Sequence, residues 1–299
     1  MRNDEYDAFG PWIDEVPTAA ELPRLYRDHP IDFETALLVL KVPRDIARRD
    51  ADPSMHLYDV LLVVEPDGLT ILQRTVDTYS VTEVAYADVF ALQDTVLLLD
   101  GRFSIFLTEQ EPVVLRYNGS ARDTITRLAT LLQGLSGRPA VLADTQAHST
   151  RDAVEAILTS ELDYGLRGDC TDLLARESAA AFVAGHASQV IHPSGGFAAL
   201  THRFRPAHLQ AGIMFQTSTG MVFTHRRDPI VRGRVNDLSH ASTVFFPERV
   251  THVTKQPHAL YTGVEIVRVG TAGSGIELTI ASDASLEGSA FLSKVPVAS

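Results

Sequence analysis

Leu57-Tyr58-Asp59-Val60-Leu61-Leu62-Val63-Val64-Glu65-Pro66-Asp67-Gly68-Leu69-Thr70-Ile71-Leu72-Gln73-Arg74 is the stretch whose reading decides the fold. Two runs rich in β-branched and apolar residues flank Pro-Asp-Gly. Proline presets φ for the first turn position and glycine accepts φ > 0 in the turn, so the stretch predicts a hairpin with strands at Leu57 to Glu65 and Leu69 to Arg74. Outward from it, a strand is expected before the hairpin at Thr35 to Val42. After it, strands are expected at Val81 to Tyr86, Thr95 to Leu99, Phe103 to Leu107 and Val113 to Tyr117, with Asp100-Gly101 as a second tight turn. A strand every ~8–12 residues is the spacing of a sandwich or small barrel.

The β run ends in a helix. Asn118-Gly119-Ser120 offers a cap, Asp123 stands in a capping-box position, and Ile125, Leu128, Ala129, Leu131, Leu132 and Leu135 recur at helical spacing. Two more helices are expected at Thr150 to Leu162 and Cys170 to Ala187. The chain then turns β again, with strands at Phe197 to Phe204, Ala211 to Thr217, Met221 to His225, Thr243 to Phe246, Val250 to Lys255, Gly263 to Val269 and Gly275 to Ile280, and a short helix over Asp283 to Leu292. Four segments result: an irregular acidic arm over 1–34, punctuated by Pro11, Pro17, Pro23 and Pro30; a β module closed by a helix over 35–137; a linker with two helices over 138–190; and a second β module over 191–299. A short helix around Ala19 to Arg27 is expected within the arm, which docks by burying aromatic residues drawn from Tyr6, Phe9 and Trp12.

Composition bounds the function. The chain has 299 residues and a net charge of -12, against broad nucleic-acid binding, which needs a basic face. A lone cysteine, Cys170, excludes an internal disulfide. With an acidic N-terminus that lacks an apolar signal region, it points to a cytoplasmic protein. The longest apolar runs fall far short of the ~20 residues of a membrane span. Charge is unevenly spread. Met1 to Thr35 holds nine acidic and three basic residues, whereas Arg203 to Gln256 holds three acidic and eight basic ones. His202, His208, His225, His240 and His252 lie in or beside that second stretch.

Val81 to Leu92, with its Thr82-Glu83-Val84-Ala85-Tyr86-Ala87-Asp88-Val89 step, leads into short strands, a last strand at Val113 to Tyr117 and one amphipathic helix. This resembles the bacterial pleckstrin-homology-like (PH-like, including GRAM-like) modules, and Val244-Phe245-Phe246-Pro247-Glu248-Arg249-Val250 echoes the step in the second half. The resemblance implies an α+β, mostly β chain of two PH-like half-barrel or sandwich modules joined by the helical linker. The first module lacks the basic early hairpin that phosphoinositide-binding members use.

Chemistry-bearing motifs are scarce. Cys170, between Asp169 and Thr171, reads as an ordinary small residue rather than a nucleophile, because flanking aspartates raise a thiol's pKa. No histidine pair has metal-ligand spacing, so no metal is expected. Gly270-Thr271-Ala272-Gly273-Ser274-Gly275 reads as a hairpin rather than a phosphate loop, since a β run follows it. No catalytic residue and no cofactor are expected. Arg226, Arg227, Arg232 and Arg234 form the one group suited to an anion, because guanidinium forks bind carboxylate and phosphate in bidentate fashion. The alternative for that loop is pairing with the acidic arm. The expected role is therefore a non-catalytic binding or scaffold protein whose partner is another protein or itself. Peripheral binding of an anionic lipid, membrane surface or metabolite through the 226–234 loop, and an enzyme of unidentified class, stand as alternatives.

Overall fold

The computed structural model describes residues 4–138, 147–195, 205–233 and 238–284. A five-residue helix α1 (Asp4–Ala8) precedes β1 (Asp14–Glu15), β2 (Leu38–Pro43), β3 (Tyr58–Val64), β4 (Leu69–Thr75) and β5 (Thr78–Val84), which form one antiparallel sheet in that order. The Pro66-Asp67-Gly68 hairpin joins β3 to β4 in the register Val64↔Leu69. Strand β3 lacks alternation because both of its faces are covered. Val60, Leu62 and Val64 face the main core, while Tyr58, Leu61 and Val63 meet the arm, whose Phe9, Val16, Leu22 and Tyr26 pack on the sheet's outer face. Trp12 stays exposed. The helix expected around Ala19 to Arg27 is instead two single 3-10 turns, Ala19–Glu21 and Arg24–Tyr26. Pro23 between them has no N–H to continue a helical ladder.

The two-residue loop between β4 and β5 places Val76 at φ 65° with its side chain 74% exposed. A β-branched residue pays a steric penalty in the left-handed region and gains nothing here by burial. Val76→Gly is expected to stabilise the protein by ~1 kcal/mol, a rise of roughly 2–4 °C in thermal midpoint, read by calorimetry.

The chain continues through a 3-10 turn (Tyr86–Asp88) into β6 (Val89–Leu97), β7 (Asp100–Leu107) and β8 (Val113–Asn118), and then α2 (Arg122–Ser136). Asn118 caps the turn before α2 by accepting from the Ser120 N–H at 3.0 Å. The expected turn at Asp100-Gly101 is displaced. Leu97 pairs with Asp100, so the loop is Leu98-Leu99, with Leu98 at φ 56°. Gly101 lies within β7 because the Tyr117 ring covers it, and an added Cβ would stand 2.5 Å from Tyr117 Cζ.

Helices α3 (Ala147–Ile157) and α4 (Tyr164–Arg176) follow. The helix expected over Cys170 to Ala187 therefore starts earlier and stops at Arg176, and β9 (Ala181–His186) occupies the rest. The small residues of 179–185 serve close packing under α3 rather than helix propensity: a Cβ on Gly185 would lie 2.9 Å from Ile213 Cδ1 and 3.1 Å from Ile157 Cδ1. The expected linker over 138–190 thus contains a strand, because an edge position in a sheet outweighs weak local propensity. The remaining strands are β10 (Gln189–Pro193), β11 (Ala207–Leu209), β12 (Gly212–Gln216), β13 (Met221–His225), β14 (Ile230–Arg232), β15 (Ser239–Phe245), β16 (His252–Pro257), β17 (Tyr261–Thr262), β18 (Val264–Gly270) and β19 (Gly275–Ala281). Gly270 pairs with Gly275 in a hairpin. The strand expected at Phe197 to Phe204 and most of the helix expected at Asp283 to Leu292 lie outside the described residues.

The two halves meet in one sheet. Its order is β8-β7-β6-β15-β13-β12-β9, with β6 and β15 paired from Leu97↔Ser239 to Ala91↔Phe245. One face of this sheet meets the five-stranded sheet and α2, α3 and α4 across a single core that contains Leu40, Leu62, Leu92, Ile105, Leu128, Leu158, Ile213 and Phe246. The other face packs Phe90, Met214, Phe223 and Phe245 against β10, β11 and the three-stranded sheet β16-β18-β19. Arg249 fastens the junction by donating to Val89 O at 2.7 Å and to Ser136 O. Among the described residues, no helix is long and apolar enough to cross a membrane.

Candidate functional site

Strand alternation sets one side of the site. Met221, Phe223 and His225 point to the same face of β13, so the His225 imidazole stacks on the Phe223 ring at 4.8 Å and 20°. Cross-strand register extends that face into a row: Thr95 pairs with Ala241, Ala241 with His225, and Gly212 with His186. Above this row lies a cavity of about 200 Å³, bounded by Gln93, Thr95, Gln210, Pro229 and the Glu277–Thr279 segment of β19. Gly212 lets Phe223 and His186 close over β12, because a Cβ there would stand 2.6 Å from Phe223 Cζ and 3.3 Å from His186 Nε2.

Hydrogen bonds assign the histidine tautomers. His225 Nδ1 lies 2.8 Å from the Arg226 carbonyl oxygen, so Nδ1 carries the proton and donates. Its Nε2 accepts from the Thr243 hydroxyl at 3.1 Å, and that oxygen accepts from Gln93 Nε2 at 2.9 Å. Burial pushes the His225 pKa down to about 4, with the Arg226 carbonyl acting weakly the other way. His186 is also held below the usual histidine value by burial. Its Nδ1 faces Ala187 O at 3.3 Å, and its buried Nε2 has no hydrogen-bond partner among the described residues.

The His225 shift has a definite sign in stability. An unfolded histidine titrates near ~6.5. Between that value and about 4, the unfolded chain takes up a proton that folded His225 refuses. Stability supplied by this residue is therefore complete above ~6.5 and declines as pH falls, with a slope approaching ~1.4 kcal/mol per pH unit. At pH ~5.5, nitrogen NMR is expected to find His225 still neutral with the proton on Nδ1.

The four arginines are not brought together. Arg226 is buried on the helix-covered side, where Nη1 meets Asp169 Oδ2 at 3.3 Å and also donates to Ser239 O. Arg227 reaches Asp100 Oδ2 at 2.7 Å across the β6–β7 turn. Arg232 sits at the end of edge strand β14, with Nη2 3.4 Å from the Tyr261 hydroxyl. Arg234 lies outside the described residues. The acidic arm pairs elsewhere, Glu15 with Arg127 at 2.6 Å and Glu5 with Arg24 at 3.5 Å.

Asp169 on α4 is the centre of a second polar group on the helix side. Besides Arg226, it stands 3.6 Å from Arg122 and 2.9 Å from His240 Nδ1. Nearby, Asp94 accepts from the Tyr117 hydroxyl at 2.6 Å, and burial holds its carboxyl above the usual range despite that bond. Cys170 is fully buried in the main core, and burial, with Asp169 second, pushes its thiol up to about 12. That shift favours the inert thiol over the thiolate. Among the described residues, no three His, Cys, Asp or Glu side chains converge as metal ligands.

The strand expected over Met221 to His225 includes this histidine, with no face assigned to it. The alternation of Met221, Phe223 and His225 was the available signal that it faces inward. His186 and Gly212 carried no signal, since only their pairing brings them to the row. No protein-family model, curated protein or solved structure matches this chain.

Proposed function

We propose that the chain is a non-catalytic binding protein built from two PH-like modules. Each half supports this with the same plan. Four strands (β2–β5) lead through the Tyr86–Asp88 turn into three (β6–β8), and then α2. In the second half, β9, β12, β13 and β15 lead through the Pro247–Arg249 turn into β16, β18 and β19. The observation that carries the binding reading is the cavity beside His225, where the His225 imidazole and the Arg227 guanidinium are already engaged. Both nitrogens of His225 are spent on Arg226 and Thr243, and Arg227 is spent on Asp100. With these two groups held by partners within the fold, the reading is of a site that recognises shape and hydrogen bonds. The test is a metabolite panel screened by thermal shift, each sample then analysed by mass spectrometry. A ligand that raises the midpoint and is recovered unchanged is the expected result. Conversion of any compound in excess over the protein would overturn the reading in favour of an enzyme.

A second reading, an anionic lipid or metabolite at the 226–234 loop, draws on Arg232. This residue is exposed and has no carboxylate within 4.0 Å among the described residues. Under that reading, the chain sediments with phosphatidylserine vesicles at low salt, and Arg232→Ala with Arg234→Ala abolishes it. No sedimentation of the unaltered chain rules it out.

A further inference from the structure

We propose that the tip of the β6–β7 hairpin docks on an anionic bilayer, with Leu98, Leu99 and Leu238 entering the acyl region and Arg102 and Arg116 meeting lipid phosphates. This surface is separate from the His225 cavity and from the loop that carries Arg232. Register brings the leucines together. Leu97 pairs with both Asp100 and Ser239, so Leu98 and Leu99 form the turn and Leu238 lies beside it at the same end of the seven-stranded sheet. The three leucines are 67%, 64% and 72% exposed.

The tip is built against local preference. Leu98 holds φ 56°, at a turn position that two-residue hairpins fill with Gly, Asn or Asp. Neither burial nor backbone geometry accounts for a leucine there, and contiguous exposed apolar side chains mark a contact surface. Val76 has a similar φ of 65°, but its turn partner is Asp77, so no apolar tip forms.

Charge selects the partner. Arg102 and Arg116 are direct cross-strand partners and project from one face of the sheet, where like charges opposite each other cost stability. Asp100 lies among them, 2.7 Å from Arg227 Nη2 and 3.8 Å from Arg102 Nη2. The Arg227 hydrogen bond holds its carboxyl below the usual range, with Arg102 and Arg116 adding to the effect. Three arginines therefore surround one aspartate. Counting Asp228, which follows Arg227, the group remains positive in a chain of net charge -12.

Spacing fits a bilayer. Arg102 stands three residues beyond Leu99, roughly 10 Å along β7 at ~3.3 Å per residue. Apolar side chains of interfacial segments sit ~5–10 Å deep at the headgroup boundary, so the leucines reach acyl chains while the guanidinium groups stay level with phosphate. A protein partner is the poorer match, because such interfaces cover about 800 Å² per side and are anchored by Trp, Tyr and Arg rather than by leucines on a two-residue turn.

The experiment uses the full chain with vesicles of phosphatidylcholine, alone or mixed with phosphatidylserine. The chain is expected to sediment with the mixed vesicles at low salt, more weakly with phosphatidylcholine alone, and to be released as salt rises. Leu98→Asn with Leu99→Ser keeps the turn and the charge, and is expected to weaken binding roughly tenfold or more. Arg102→Gln with Arg116→Gln is expected to remove the preference for phosphatidylserine. Insertion is read in a chain that carries Trp12→Phe and Leu99→Trp, whose new indole brominated acyl chains are expected to quench. Binding that persists in Arg232→Ala with Arg234→Ala separates the tip from the loop. The proposal is overturned if the unaltered chain sediments with neither vesicle, if the leucine variant binds as well as the unaltered chain, or if the indole of the bound chain is not quenched. A dimer that the leucine variant dissociates, without vesicle binding, assigns the tip to a second copy and also overturns it. None of these outcomes decides the cavity reading, which stands or falls with the metabolite panel.

Discussion

Asp169→Ala is expected to destabilise the protein by about 3–5 kcal/mol, the range for breaking a buried ion pair from one side. The Asp169 and Arg226 side chains are only 11% and 5% exposed, and α4 lies directly on the guanidinium: a Cβ on Gly165 would stand 2.3 Å from Arg226 Nη2. With the carboxylate gone, Arg226 keeps its bond to Ser239 O but retains a buried, unneutralised charge. Arg122 and His240 lose the same partner. Most of the cost is the stranded charge rather than the lost attraction, so the double variant Asp169→Ala with Arg226→Met should recover much of the stability. Urea titrations of the two single variants and the double variant read this directly. A single-variant loss below ~1 kcal/mol would show that water reaches the pair and screens it.

Phe246→Ala is the second large effect, with an expected loss of about 3–5 kcal/mol. Phe246 is fully buried, its N–H donates to Phe90 O at 2.9 Å, and the Arg249 guanidinium stands 5.1 Å from the ring centroid. It belongs to the core that holds Leu40 and Leu62 of the five-stranded sheet as well as Ile213 and Phe215 of the second half. The loss is therefore expected to appear in both halves at once. Trp12 fluorescence reports on the arm side, and the His225 resonance reports on the cavity side. Coincident transitions by the two probes, shifted together in the variant, are the expected result. Two separated transitions would show that the halves fold independently, despite the β6–β15 pairing.

The reach of sequence reasoning follows the range of the forces involved. The hairpin at Pro66-Asp67-Gly68, the helix after Asn118 and the glycine-bounded hairpin ending at Gly275 rest on backbone chemistry within a few residues, and all were legible. Where a local signal had two explanations, the non-local one prevailed. Asp100-Gly101 resembles a turn, but the glycine lies under Tyr117. Residues 181–186 fall in a stretch that resembles helix, but they form an edge strand beneath α3. The arginine loop was legible as a charge anomaly, whereas the partners Asp169 and Asp100 were not, since neither is near in sequence.

By itself the sequence determined a mostly β chain, its principal turns, the helix that follows β8 and the absence of any strong catalytic motif, because each depends on residue type and short spacing. Only the tertiary structure decided that the two halves share a sheet and a core. The same pairing assembles the cavity from Gln93, His186 and His225. Gln93 and Thr243 are 150 residues apart, yet they exchange a hydrogen bond in that wall. The choice between a shared sheet and two separate lobes depended on which strand edges found each other, which is set by the fit of whole faces and not by any local run of residues.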